Sequence, residues 1–249
     1  MRLLVINPNT TESVTELVAD LGRRLAEPGS EIRAVTGRFG ARYISSRSAA
    51  AIASHAALEL LATHVEGCDA VYLACFGDPG LFALKELSPV PVIGMAEASC
   101  HLAATVGRRF SIVTGGARWS PMLEEFVTAI GLSASLASVR TVAPTGAEIA
   151  AAPDRALASL SGQARACAEE DGAEVVILGG AALAGLASRI DEDVPVPVLC
   201  SVEVGFRAAF AAARLRPRKA RAGSLSAPQP VETIGLGEAL ESAMHGRPM

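Results

Sequence analysis

The sequence predicts an α/β fold of two pseudo-symmetric lobes, each a parallel sheet flanked by helices, with an active cleft between them. Two observations carry this. Short β-rich runs alternate with Ala-rich helical stretches, the pattern of a parallel sheet covered by helices. The order of the runs then recurs. GCDAVYLAC, from Gly67 to Cys75, is echoed by GAEVVILGG, from Gly172 to Gly180. PVPVIGMAEA from Pro89 is echoed by PVPVLCSVEV from Pro195, and the opening RLLVINPN by RFSIVTGG, Arg109 to Gly116. The spacing is nearly constant and far too long for a solenoid repeat, so duplication of an α/β lobe is the economical account.

In order along the chain, Leu3 to Ile6 reads as a strand ending in the polar turn Asn7-Pro8-Asn9-Thr10-Thr11. Thr10 or Thr11 is placed to cap the next helix, with Glu12 and Glu16 near its positive end. Ala49 to Val65 reads as a helix, Ala70 to Ala74 and Pro91 to Gly94 as strands, and Ala96 to Ala104 as a helix. Residues 1–95 with a returning 206–249 are expected to form the first lobe and 96–205 the second. Ligands of parallel α/β sheets collect outside the carboxyl ends of strands. The loops to search are therefore Asn7 to Thr11, Cys75 to Gly80, Thr114 to Gly116 and Gly179 to Ala184.

Composition narrows the function. Half of the 249 residues are apolar, 19% are charged and the formal net charge is −4, which gives no electrostatic footprint for nucleic acid. The basic run Arg214 to Arg221 lacks interleaved aromatics and reads as a solvated loop. No apolar stretch is long enough to span a bilayer, and the first residues do not resemble an export signal. Five irregularly spaced cysteines suit reduced thiols in the cytoplasm better than a disulfide framework. The four histidines are scattered, with no HExxH and no CxxC, so no metal is expected; TGG at 114–116 lacks the spacing of a dinucleotide loop.

The most informative loop is CFGDPGL, Cys75 to Leu81, directly after the apolar strand AVYLA. Its glycines permit tight turns, and Pro79 favours the start of a helix. A cysteine there is expected near backbone N–H groups and a helix N-terminus, surroundings that lower a thiol pKa. Phe76 and Gly77 are candidate oxyanion donors through their amides. Asn9, Thr10, Thr114 and Gly115 are candidates for holding the polar groups of a substrate. His55 and His64 read as solvated helix residues, and Cys100, His101, Glu97 and Glu203 follow the repeated strand–helix turns.

LLVINPNTTESVT, ARYISSR, GCDAVYLACFGDPGL, PVIGMAEAS, FSIVTGGARWSPMLEEF, GAEVVILGGAALAGLA and PVPVLCSV together resemble the aspartate/glutamate racemase superfamily, most closely its hydantoin racemase branch. The resemblance implies two pseudo-symmetric lobes, no cofactor, a homo-oligomer, and a small-molecule substrate bearing carboxylate or imide carbonyls. It further implies two cysteines flanking an acidic carbon, one removing and one returning a proton. Cys75 matches the first. The second would lie in an LGCAG motif, whereas this chain reads LGGAA, with Gly180 at the cysteine position and Ala181 beside it on the opposite wall. Three readings stay open. The chain is a racemase or epimerase whose second proton donor is a water, Cys200, Glu203 or His101; or a single-cysteine decarboxylase of malonate-type acids; or a catalytically silent binding relative.

Overall fold

The computed structural model describes residues 1–247 and 249, apart from the side chain of Ala147. Two four-stranded parallel sheets form the frame. In the first, β1 (Arg2–Asn7), β2 (Glu31–Thr36), β3 (Ala70–Leu73) and β4 (Val92–Gly94) take the order β2-β1-β3-β4. In the second, β5 (Phe110–Gly115), β6 (Leu136–Val142), β7 (Val175–Leu178) and β8 (Val198–Cys200) take the matching order β6-β5-β7-β8. The echoed segments thus occupy equivalent strands. The central strands β3, β5 and β7 are buried along their whole length and read as near-continuous apolar runs, as strands covered on both faces do.

The edge strands β2 and β6 carry no strand signal of their own in the sequence. Glu31 and Arg33 on one, and Arg140 on the other, mark strands only partly covered, whose polar residues mask the alternation.

Helices α1 (Glu12–Leu25), α2 (Arg47–His64) and α3 (Leu81–Leu87) belong to the first half, and α5 (Trp119–Ala129), α6 (Gly146–Ala151) and α7 (Pro153–Glu169) to the second. Between them the chain exchanges two helices. Helix α4 (Met95–Val106) leaves the first sheet and packs on β7, whereas α8 (Ser201–Leu215) leaves the second and packs on β3. The two also pack on each other. Contact between α8 and β3 is close because Gly205 has no side chain: a Cβ there would run into the fully buried Tyr72 ring. The chain finishes with α9 (Glu238–Met244) against α2.

The basic run is more engaged than a solvated loop. Arg214 lies within α8 and pairs with Glu27, and Arg216 pairs with Asp69 at 3.2 Å. Lys219 Nζ donates to the carbonyls of Lys85 and Glu86 at 2.5 and 2.7 Å, where it caps the negative end of α3. No helix among the described residues is long and apolar enough to cross a membrane.

Candidate active site

All four strand-end loops converge on one cavity of about 450 Å³ between the sheets. Cys75 and Phe76 enter it from the end of β3, Thr114 and Gly115 from the end of β5, and Gly180 and Ala181 from the loop after β7. Asn9 enters from the turn after β1. Cys75 and Gly180 therefore face the same space from the two halves of the fold. Two anticipated residues do not line it. The Thr10 amide is spent on the Ala41 carbonyl at 3.2 Å, and Gly77 lies under Trp119, whose Cζ3 would stand 2.8 Å from a Cβ added there.

The turn after β1 is organised by a residue that the sequence did not single out. Asn7 is fully buried, and its Nδ2 donates to Asn9 Oδ1 at 3.1 Å, to the Thr11 carbonyl at 3.3 Å and to Thr15 Oγ1 at 2.9 Å. Asn9 Oδ1 also accepts from the Thr11 amide at 2.8 Å, so the loop is rigid before any ligand arrives. Thr11 takes the N-cap position of α1, but its hydroxyl donates to the Arg42 carbonyl at 2.8 Å and does not cap the helix.

Aromatic side chains lock the two halves together around Cys75. The Phe76 ring lies over Gly179, where a Cβ would stand 2.5 Å from Phe76 Cε1. Tyr43, from the loop after β2, donates its hydroxyl to the Gly115 carbonyl at 2.9 Å and accepts from Trp119 Nε1 at 3.1 Å. Trp119 in turn covers Gly77. Tyr43, Arg42 and Ile44 all line the cavity, a role beyond the family resemblance that their segment ARYISSR carries. A usable signal was present: aromatics make up only 4% of the chain, and Tyr43 is one of two tyrosines and Trp119 the one tryptophan.

This enclosure overturns the electrostatic expectation for Cys75. Its thiol is pushed up to about 12, first by burial and second by the charge of Asp78. Helix α3 begins only at Leu81, so its N-terminus is too far along the chain to compensate. Cys75 rests as a thiol. Cys100, equally buried, is also shifted upward, for the same two reasons.

Asp78 holds the cysteine loop to the fold. Its amide donates to the Cys75 carbonyl at 3.0 Å, and its backbone takes a left-handed conformation with φ of 46°. Its carboxylate accepts from the Ala96 and Glu97 amides at 3.0 and 2.8 Å and so caps α4. Burial nevertheless dominates and raises Asp78 to about 7, against the lowering effect of those two hydrogen bonds. A carboxyl group whose folded pKa is raised binds more protons folded than unfolded. Its contribution is fully present below the ordinary carboxylate range and is lost as pH rises through about 7. Asp78→Asn keeps an oxygen for the cap and tolerates a left-handed backbone. Unfolding free energies from denaturant titrations between pH 4 and 8 are expected to decline less in Asp78→Asn than in the wild type, by at most about 4 kcal/mol. Parallel profiles would show that Asp78 does not titrate in this window.

The proposed alternative donors lie elsewhere. His101 is exposed on α4, Glu203 pairs with Arg207 at 2.7 Å, and Cys200 ends β8 outside the cavity lining. Glu97 is held by Lys85 at 2.5 Å. His55 stacks edge-on against Phe39 and faces Glu59 at 3.3 Å. His64, only partly exposed, meets Arg33 at 3.2 Å. Among the described residues no group of His, Cys, Asp and Glu side chains is arranged to hold a metal ion.

With this geometry established, the likeness to known proteins is decisive. The model of the Asp/Glu/hydantoin racemase family matches residues 3–209. The chain belongs to that family. A hydantoin racemase from Paenarthrobacter aurescens is 36% identical over 92% of this chain and 98% of its own length. The crystal structure of allantoin racemase from Pseudomonas fluorescens superposes with a TM-score of 0.90 at 34% identity, covering 94% of this chain and 100% of the other. Allantoin racemase from Klebsiella pneumoniae gives a TM-score of 0.91 at 32% identity, covering 97% and 99%. This family member is accordingly an isomerase of the racemase class, in the hydantoin branch.

Proposed function

We propose that the chain is a cofactor-independent racemase of hydantoins whose ring carbon carries an apolar substituent, with Cys75 as its proton-transfer group. The observation that carries this reading is the placement of one buried thiol in a cavity that has an apolar stretch of wall, Val14, Leu17, Ile44, Ala150, Ala151 and Leu183, beside its polar groups. That stretch of wall accepts a hydrocarbon side chain and offers no hydrogen bond to a polar one laid against it. Among the described residues no carboxylate lines the cavity. The cationic side chain there is Arg42, which makes no ion pair among the described residues and stands ready for an imide anion or a carboxylate.

In this scheme Cys75, as thiolate, takes the proton from the carbon between the ring nitrogen and carbonyl. The negative charge that develops on the carbonyl oxygen is met by preorganised donors. The Phe76 amide is suited to this because it has no hydrogen-bond partner among the described residues. The Gly77 amide was expected to share the role, but its cover by Trp119 leaves Phe76 the better candidate. Asn9 and Gly115 hold the polar ring edge, and Gly180 and Ala181 form the far wall, which the Thr114 hydroxyl borders. The cleft lies between a lobe of residues 1–95 with 206–249 and one of 96–205. Cytoplasmic location and assembly into a homo-oligomer belong to the same proposal and rest on the family likeness alone.

Single enantiomers of a 5-alkylhydantoin and of allantoin, and an achiral alkylmalonate, each incubated in deuterated water, test the scheme by NMR and chiral chromatography. The alkylhydantoin is expected to exchange its ring-carbon hydrogen and racemise well above the uncatalysed background, faster than allantoin. Release of CO₂ from the malonate without hydantoin turnover would replace this reading by the decarboxylase. No turnover of any of the three would refute it.

A further inference from the structure

The racemisation proposed above needs a proton on the face opposite Cys75, and the wall there has no thiol. A Cβ built on Gly180 would lie 3.9 Å from Thr114 Oγ1. The Thr114 hydroxyl therefore borders the space that a side chain at 180 would fill. Thr114 is only 5% exposed and lines the cavity, and its hydroxyl makes no hydrogen bond among the described residues. The hydroxyl opens onto the cavity, where a water or a ligand is free to pair it.

The other hydroxyls in the lining are either paired within the protein or, at Ser13, on an exposed residue. Tyr43 gives its proton to Gly115 and accepts from Trp119, Thr11 donates to Arg42, and Asn9 Oδ1 accepts twice. The wall itself is fixed, because the Gly180 amide donates to Ser201 Oγ at 3.1 Å and Ser201 is fully buried.

We propose that Thr114 is a positioning residue that holds a water molecule beside Gly180, and that this water serves the second face of the reaction. The inference rests on the racemase reading. The water hydrogen-bonds to Thr114 Oγ1 and to the bound substrate, which gives it the minimum of two polar partners that an ordered cavity water needs. The Cys75 thiolate takes the carbon-bound proton and becomes a thiol, leaving an enolate. One O–H bond of the water breaks as a new C–H bond forms on the opposite face, with inversion. The hydroxide so produced recovers a proton from the Cys75 thiol through cavity water, which restores both the water and the thiolate. In the reverse direction the same steps run backward, so no proton is gained or lost over a cycle.

The test separates exchange from inversion. In deuterated water, the wild type inverts both enantiomers of a 5-alkylhydantoin. Thr114→Val removes the hydroxyl while nearly conserving the volume. It is expected to lower inversion by about 10²–10⁴-fold, the usual worth of a general acid–base group. Cys75 should still exchange deuterium with retention into the one enantiomer whose hydrogen faces it. Thr114→Ser, which keeps the hydroxyl, should restore inversion; circular dichroism checks that both variants fold. Inversion by Thr114→Val at the wild-type rate would overturn the assignment. So would equal loss of exchange and inversion with a raised KM, which would make Thr114 a substrate-holding residue only. A wild type that neither exchanges nor inverts the hydantoin sinks the racemase reading itself, a distinguishable failure.

Discussion

Cys75→Ala is expected to lower racemisation by about 10²–10⁴-fold or more while leaving the fold intact, since only one buried sulfur atom is removed. Circular dichroism and initial rates on a single hydantoin enantiomer measure both halves of the statement. The pH dependence of the wild type is equally specific. With the thiol pushed up to about 12, its ionised fraction in the free enzyme rises about tenfold per pH unit throughout the neutral and alkaline range. The logarithm of kcat/KM, which reports groups of the free enzyme, should therefore climb with a slope near one between about pH 8 and 10. Asp78 sharpens the expectation. Its charge is one of the two causes that raise the thiol, so Asp78→Asn should move the whole profile toward lower pH. A flat profile, or full activity in Cys75→Ala, would remove the thiolate from the mechanism.

What could be read from the chain followed the distinction between local and long-range causes. Strands β3 and β7, and β1 and β5, are legible because they are buried, apolar and echoed in sequence, and the ends of β3, β5 and β7 locate Cys75, Thr114 and Gly180 together. Edge strands β2 and β6 carry charged residues on partly exposed faces, so their periodicity is diluted. Missing β2 also hid the loop behind it, which sends Arg42, Tyr43 and Ile44 into the cavity. The Cys75 thiol was misjudged for a related reason. Its loop, taken alone, favours a lowered pKa. The burial that raises it comes from the close packing of rings such as Phe76 and Trp119, which meet only when the two halves are assembled.

Gly180→Cys would supply the thiol that the family pattern places opposite Cys75, yet it is expected to impair the protein. Gly180 has a φ of 144° and a ψ of 139°, a conformation that a residue with a side chain rarely adopts. Forcing one there costs on the order of 1–3 kcal/mol. The new Cβ would also stand 3.0 Å from Leu183 Cδ1, although that flexible side-chain end can give way. For a chain of this size each kcal/mol lowers Tm by about 2–4 °C, so a drop of several degrees is expected by differential scanning calorimetry. Relaxing the strain requires the loop after β7 to turn, and that loop is tied to Ser201 on one side and covered by Phe76 on the other. Phe76 is the neighbour of Cys75, so the displacement reaches the proton-transfer group, where a shift of about 1 Å can cost about 10²-fold in rate. The thiol would also displace the water assigned to Thr114. Slower inversion with lowered Tm is therefore the expected pair of results. Faster inversion at unchanged Tm would show that this wall accommodates a second thiol and that the glycine is not part of its design.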